Sequence, residues 1–254
     1  RMNTIRLTGC RPEPLLSYLK ALGIFRLVAE QADKTARASW RDDVFVLHTT
    51  LSEVELMTFF TERYTPTPIV APWAGGSGFF SGDNVKAVNE IANSKSPRLA
   101  LCRQVIGQVR AILKELGQTD KPEDKDVKSN LLRVYQRELP DEFLKWMDSA
   151  IVLQNEGQKF PPILGTGGND GRLDFTQNLM QRLVEMGFAG NELVEESTDW
   201  LKNALYGTPT SGLLKSAIGQ FDPGRAGGPN ATQGMDGDSR VNPWEFVLML
   251  EGSL

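Results

Sequence analysis

The sequence predicts an α+β fold, predominantly helical, with a few short strands and long Gly-rich loops. Three observations carry this expectation. Apolar residues recur at helical spacing in most segments of the chain. One segment, VFVLHTT (44–50), alternates apolar and polar residues as a strand does. Gly and Pro cluster in 65–84, 160–178 and 219–238, where neither period holds.

Taken in order, residues 5–8 read as a short strand. Pro12 and Pro14 then lead into a helix over 15–29, with Leu15, Leu19, Leu22 and Leu27 among its apolar positions. A strand over 44–49 comes next. Ser52 and Glu55 form a capping-box pattern ahead of an amphipathic helix carrying Leu56, Phe59 and Phe60. After the Pro/Gly break, a helix is expected over 85–93, with Asp83 or Asn84 as its N-cap. Ser96 and Pro97 read as N-cap and first helical position of a helix running to Leu116, stopped at Gly117. Its expected buried face is Val105, Ile106, Val109, Ile112, Leu113 and Leu116. The polar stretch 117–126 reads as an exposed linker, and helices are expected over 127–139 and 141–153. Further helices are expected ending near Met186 before Gly187, and over 192–205 before Gly207. Asn242 and Pro243 open a last, strongly apolar helix with Trp244, Phe246, Val247, Leu248 and Leu250. Two regions are expected, an N-terminal α+β region over 1–120 and a mostly helical one over 121–254. Arg1 before Met2 and the apolar final helix, which has no evident partner, are read as signs of a longer protein.

Composition bounds the chemistry. The chain has 254 residues and one His, and its two cysteines, Cys10 and Cys102, are not in a CxxC spacing. A His-rich metal site and a zinc ribbon are therefore excluded. Two cysteines make no disulfide framework, which favours a reducing, cytoplasmic setting. No apolar run approaches the roughly 20 residues of a membrane span. His48 lies in the alternating strand segment, where a structural role is expected. Cys10 beside Arg11 admits a low-pKa thiol, but no positioned His accompanies it.

The net charge is -4, yet it is unevenly spread. Residues 1–41 hold eight basic and three acidic side chains. Residues 93–114 hold Lys95, Arg98, Arg103, Arg110 and Lys114 and no acid. A polyanion responds to such local potential and not to the total. At 100° per residue, Arg103, Arg110 and Lys114 fall close together on one helix face, as a ridge suited to phosphates.

Gly-rich loops at 71–84, 165–172 and 219–238 each precede an expected helix. Glycine lets backbone N–H groups approach an anion closely, so Gly75, Gly76, Ser77 and Thr166 are candidate backbone contacts. Lys86 adds charge beside the first loop. Asn84, Asn169, Asn178 and Gln181 offer amides to base edges, and Arg172 a guanidinium to phosphate or guanine. Trp73, Phe79 and Phe80 offer stacking surfaces where exposed. Specific nucleotide motifs fail: there is no P-loop, and Asp170 breaks the GxGxxG pattern of 165–170. Asp170 with Asp174 reads as loop and cap chemistry, and Asp236 with Asp238 lacks the other ligands of a calcium loop. An enzyme cradling a nucleotide in the Gly loops is thereby the weakest reading.

Four blocks carry a resemblance: 9–33 (GCRPEPLLSYLKALGIFRLVAEQAD), 65–80 (TPTPIVAPWAGGSGFF), 160–183 (FPPILGTGGNDGRLDFTQNLMQRL) and 219–252 (GQFDPGRAGGPNATQGMDGDSRVNPWEFVLMLEG). Together they resemble the large-subunit family of subtype I-G (formerly I-U) CRISPR effectors. Members of that family are much longer, so the resemblance implies an N-terminal part. It also implies a non-enzymatic role without a cofactor, in a cytoplasmic Cascade ribonucleoprotein complex of antiviral defence. Implied partners are crRNA with its 5′ handle, target double-stranded DNA read at the protospacer-adjacent motif, the backbone and crRNA-end Cascade subunits, and a recruited nuclease-helicase. RNA pairing reads the remaining target sequence. The alternative is a scaffold that touches only crRNA and neighbouring subunits.

Overall fold

A computed structural model describes residues 2–70, 78–80, 85–154, 157–159, 174–217, 221–225 and 238–254. The fold is α+β and mostly helical, as expected. It divides into two compact units. Unit 1 comprises Arg1–Thr65, Glu185–Gly187 and Glu192–Leu254; unit 2 comprises Pro66–Val184 and Phe188–Asn191.

Unit 1 opens with β1 (Asn3–Leu7), α1 (Leu15–Gln31), β2 (Arg37–Arg41) and β3 (Val44–Thr49). β3 lies between β1 and β2 and is antiparallel to both, a split β-α-β arrangement. β2 is missing from the sequence expectation. Its hairpin turn is Asp42-Asp43, both at positive φ (50° and 57°), without the Asn-Gly or Asp-Gly signal that such a turn favours. One sheet face buries Ile5, Leu7, Phe45 and Leu47. Asp33, just after α1, ties the end of that helix to the end of β3. It accepts from Thr35 N and Oγ1 (2.9 and 2.6 Å), Thr49 Oγ1 (2.7 Å) and Thr50 N (2.7 Å).

The capping box is present in both its arms: Ser52 Oγ accepts from Glu55 N, and Glu55 accepts from Ser52 N. It starts α2 (Glu53–Thr58), which widens into one π-helical turn over Phe59–Arg63. In that turn Tyr64 N bonds Phe59 O at 2.7 Å, and Phe59, Phe60 and Tyr64 are all buried. Phe60 and Tyr64 each lie 6.0 Å, ring to ring, from Trp244.

The unit is completed by α8 (Ser197–Tyr206), the ribbon of β6 (Leu214–Ala217) and β7 (Asp238–Val241), and α9 (Pro243–Glu251). α8 starts later than the expected residue 192 and ends at Gly207 in the left-handed conformation. Asn242 caps α9 through Trp244 N at 2.9 Å, with Pro243 in the first turn. Every residue of α9 is buried. The apolar helix that lacks a partner in the sequence thus has one: α1 lies against it, and glycines let the two backbones meet. A Cβ on Gly23 would clash with Leu248 O, and one on Gly252 with Leu19 O. Leu15 is 37% exposed and Leu22 half-buried, so the core face of α1 turns toward Leu16, Leu19, Ile24, Leu27 and Val28 instead.

Unit 2 contains α3 (Lys86–Asn93), a 3-10 turn (Pro97–Leu99), α4 (Ala100–Glu115), α5 (Lys125–Glu138), α6 (Asp141–Ala150), the hairpin of β4 (Val152–Gln154) and β5 (Gly157–Lys159), and α7 (Asp174–Glu185) up to Val184. The N-cap position of α3 is Val85, with no side-chain cap. Ser96 precedes the 3-10 turn and its side chain caps nothing. α4 buries Val105, Ile106, Val109, Ile112 and Leu113 as expected, but Leu116 is 45% exposed because α4 ends before it. Phe143, Trp146, Leu131, Leu132 and Tyr135 form the core of α5 and α6.

Candidate nucleic-acid interface

α3 and α4 are amphipathic helices in contact with each other; α3 buries Ala87, Val88 and Ile91, and α4 buries Val105, Ile106 and Val109 among others. Burying those faces leaves their polar edges side by side. Arg110 of α4 donates through Nη2 to Asn89 Oδ1 of α3 at 2.7 Å. Two turns earlier, Arg103 donates through Nη1 to the Ser96 carbonyl. Lys114 continues the row and is exposed. Among the described residues no carboxylate pairs with Arg103, Arg110 or Lys114, so neutral acceptors orient the two guanidinium groups without cancelling their charge. Three positive charges therefore stand along the seam of the two helices.

Beside that row lies a groove of about 470 Å³, lined by Asn89, Glu90, Asn93, Ser94, Val184 and Ala189 among others. Asn89 belongs to both the groove and the arginine row. Asn89 and Asn93, four residues apart on α3, face it together, a spacing that could have found them in the sequence. Ser94 Oγ donates to Ala189 O at 2.8 Å and holds the groove wall.

The remaining candidates separate. Lys86 is 83% exposed and sits 3.9 Å from Glu90, a surface pair of little energetic weight. The Arg98 guanidinium lies 4.0 Å from the Phe188 ring centroid and is half-buried there, so packing holds it in place. Asn178 and Gln181 are half-buried on α7. Phe80 is 4% exposed, which removes it as a stacking surface. Trp73, Gly75, Gly76, Ser77, Asn84, Thr166, Asn169 and Arg172 lie outside the described residues, as do Asp170 and Asp236.

Folding takes two cations out of the N-terminal basic segment, while Arg6, Arg11, Lys34, Arg37 and Arg41 stay exposed. Lys20 is buried against Glu245, and Arg26 pairs with Glu30 and Glu251. Cys10 is fully buried, and burial pushes its thiol up to about 11, the opposite of an activated cysteine. His48 meets Thr4 Oγ1 at 3.2 Å across the sheet. Among the described residues no group of three or more His, Cys, Asp and Glu side chains could hold a metal ion. Among them too, no helix is long and apolar enough to cross a membrane. No family model matches the chain, and no curated protein matches it.

Proposed function

We propose that the chain is the large subunit of a type I-G CRISPR RNA-guided DNA surveillance complex, binding crRNA and target DNA without catalysis of its own. The reading is supported by the four sequence blocks and by one structural observation: Arg103 and Arg110 are oriented by neutral acceptors beside a groove whose lining includes the amides of Asn89 and Asn93 and the carboxylate of Glu90. Cations held in this way position a phosphate backbone, while Asn89 and Asn93 are of the type that reads base edges. In the assembled complex the α3–α4 edge contacts nucleic acid, and recognition of the protospacer-adjacent motif involves the Gly-rich loops.

The test is reconstitution with crRNA and the other Cascade subunits, and titration with target duplex at several salt concentrations. Replacing Arg103, Arg110 and Lys114 by Ala is expected to weaken binding and to reduce the salt slope by about 3, near 0.9 per phosphate lost, without changing motif preference. Normal assembly with an unaltered salt slope and affinity would favour a scaffold that touches only crRNA and neighbouring subunits. Failure of the chain to enter the complex at all would exclude the family reading.

A further inference from the structure

Unit 1 carries a basic surface of its own, on the sheet face opposite Ile5, Leu7, Phe45 and Leu47. Residues paired directly across strands share a face, and successive residues alternate between faces. The pairing sets Thr4, His48 and Arg37 in one row and Arg6, Val46 and Ser39 in the next. Val44 and Arg41 form a third row. The contact of His48 Nδ1 with Thr4 Oγ1 at 3.2 Å lies along the first row. Arg6 of β1 and Arg37 and Arg41 of β2 thus flank the central strand on one face, and all three are exposed. None of the residues in these rows is acidic.

The acids around this face leave two of its cations uncompensated. Arg37 gives Nη1 to the carbonyls of Thr35 and Ala36 at 3.0 and 2.8 Å, both neutral acceptors. Among the described residues Arg6, Arg37 and Arg41 pair with no carboxylate. Asp42 and Asp43, in the hairpin turn beside Arg41, offset that arginine. Arg37 is about 16 Å along the strand from the turn, beyond the ~8 Å Debye length. Asp33, near the other end of the sheet, is buried, and its carboxyl is held low by Thr35, Thr50 and Thr49 and by no arginine. β1 contains no acid. Val46, at the centre of the face, is 1% exposed and Ser39 Oγ is buried, while the arginines around them are exposed. Long basic side chains cover such a centre with their stems and keep their charged heads in water, so the guanidinium groups form the outer layer.

We propose that this sheet face binds a single-stranded nucleic acid by its phosphates, through Arg6 and Arg37, with Arg41 at the rim. The planar guanidinium fork matches phosphate oxygens in pairs. A major groove admits a helix or a two-stranded ribbon, so the flat face of a three-stranded sheet does not enter it. A single strand can lie across such a face. Bases add affinity by stacking where a platform offers aromatic rings, and His48 is the one ring in these rows. Affinity therefore rests on phosphates and is independent of sequence. Single-stranded RNA and DNA share this chemistry. The face belongs to unit 1 and the arginine row of α4 to unit 2, and the inference does not rest on the CRISPR assignment.

The experiment uses the full chain with Arg103, Arg110 and Lys114 replaced by Ala, which silences the row in unit 2. Fluorescence anisotropy follows labelled oligouridylate, oligothymidylate, a mixed-sequence strand and a duplex at several salt concentrations. A single strand is expected to bind, with the duplex several-fold weaker; a preference between the two homopolymers identifies RNA or DNA as the ligand. Adding Arg6→Ala and Arg37→Ala should lower the salt slope by about 1.4, near 0.7 per phosphate lost from a single strand. Arg6→Ala alone removes no hydrogen bond among the described residues; it should lower the slope by about 0.7 and leave the melting temperature unchanged. Lysine at both positions keeps the charge and should keep the slope. Four results would overturn the proposal: no binding of any single strand, tighter binding of the duplex, displacement by polyglutamate as effective as by unlabelled strand, or an unaltered slope in both alanine variants.

Discussion

The amine of Lys20 and the carboxylate of Glu245 meet at 2.7 Å inside unit 1, from positions 225 residues apart, with side chains 1% and 8% exposed. Burial pushes the Glu245 carboxyl up, but the charges of Lys20 and Arg225 together outweigh it and hold the group below the usual carboxylate range. The pair joins α1 to α9, the two helices on which the unit is built.

Glu245→Gln should therefore destabilise the protein by about 3 kcal/mol, because it strands Lys20 as a buried charge. Lys20→Met should cost less, since Glu245 keeps Arg225. A depressed carboxyl stabilises above its unfolded pKa of about 4.3 and loses that contribution as pH falls through the folded value. The gap between wild type and Glu245→Gln should thus narrow below about pH 4. Urea midpoints measured from pH 3 to 7 check both statements.

Glycine-to-alanine changes should have opposite signs at two helical sites. Gly23→Ala places a methyl against the Leu248 carbonyl and should cost about 1–3 kcal/mol or more by forcing α1 from α9. Gly107 is exposed on α4 with open space at its Cβ, so Gly107→Ala should gain about 1 kcal/mol of helix propensity. Thermal unfolding distinguishes the two.

Asp33 is held by hydrogen bonds from Thr35, Thr50 and Thr49, which keep its carboxyl well below the usual range. Asp33→Asn should cost about 2 kcal/mol at neutral pH, since an amide replaces one of the two acceptor oxygens with a donor. The wild type should lose this advantage as pH falls below about 3.9, and the variant should show no matching loss. Chemical denaturation at pH 2.5 and pH 7 reads the difference.

Cys10 and Cys102 are both buried. Neither should react with a thiol reagent in the native state, and both should react once the chain is unfolded in denaturant. A fast-labelling thiol in native buffer would contradict the burial of both residues.

Three helix ends were legible in the sequence. Ser52 with Glu55, Asn242 with Pro243, and Gly207 mark their helices through contacts a few residues long, which any window of sequence contains. The arginine row was legible for the same reason, since helical spacing alone aligns Arg103, Arg110 and Lys114. The groove beside it was not, because Ala189 comes to Ser94 only when the chain after α7 returns to α3.

Local sequence was enough to say which stretches are helical and where most helices stop. Which charges remain available depended on the packed chain. Lys20 and Arg26 belong to a basic segment in sequence, but Glu245 and Glu251 reach them from the other end of the chain. Packing likewise makes α9 a core helix, and pairing of the β6–β7 ribbon brings Lys215 opposite Arg240. One cause is common to all three: a charge or an apolar face acquires its meaning from its neighbour, and here those neighbours are distant in sequence.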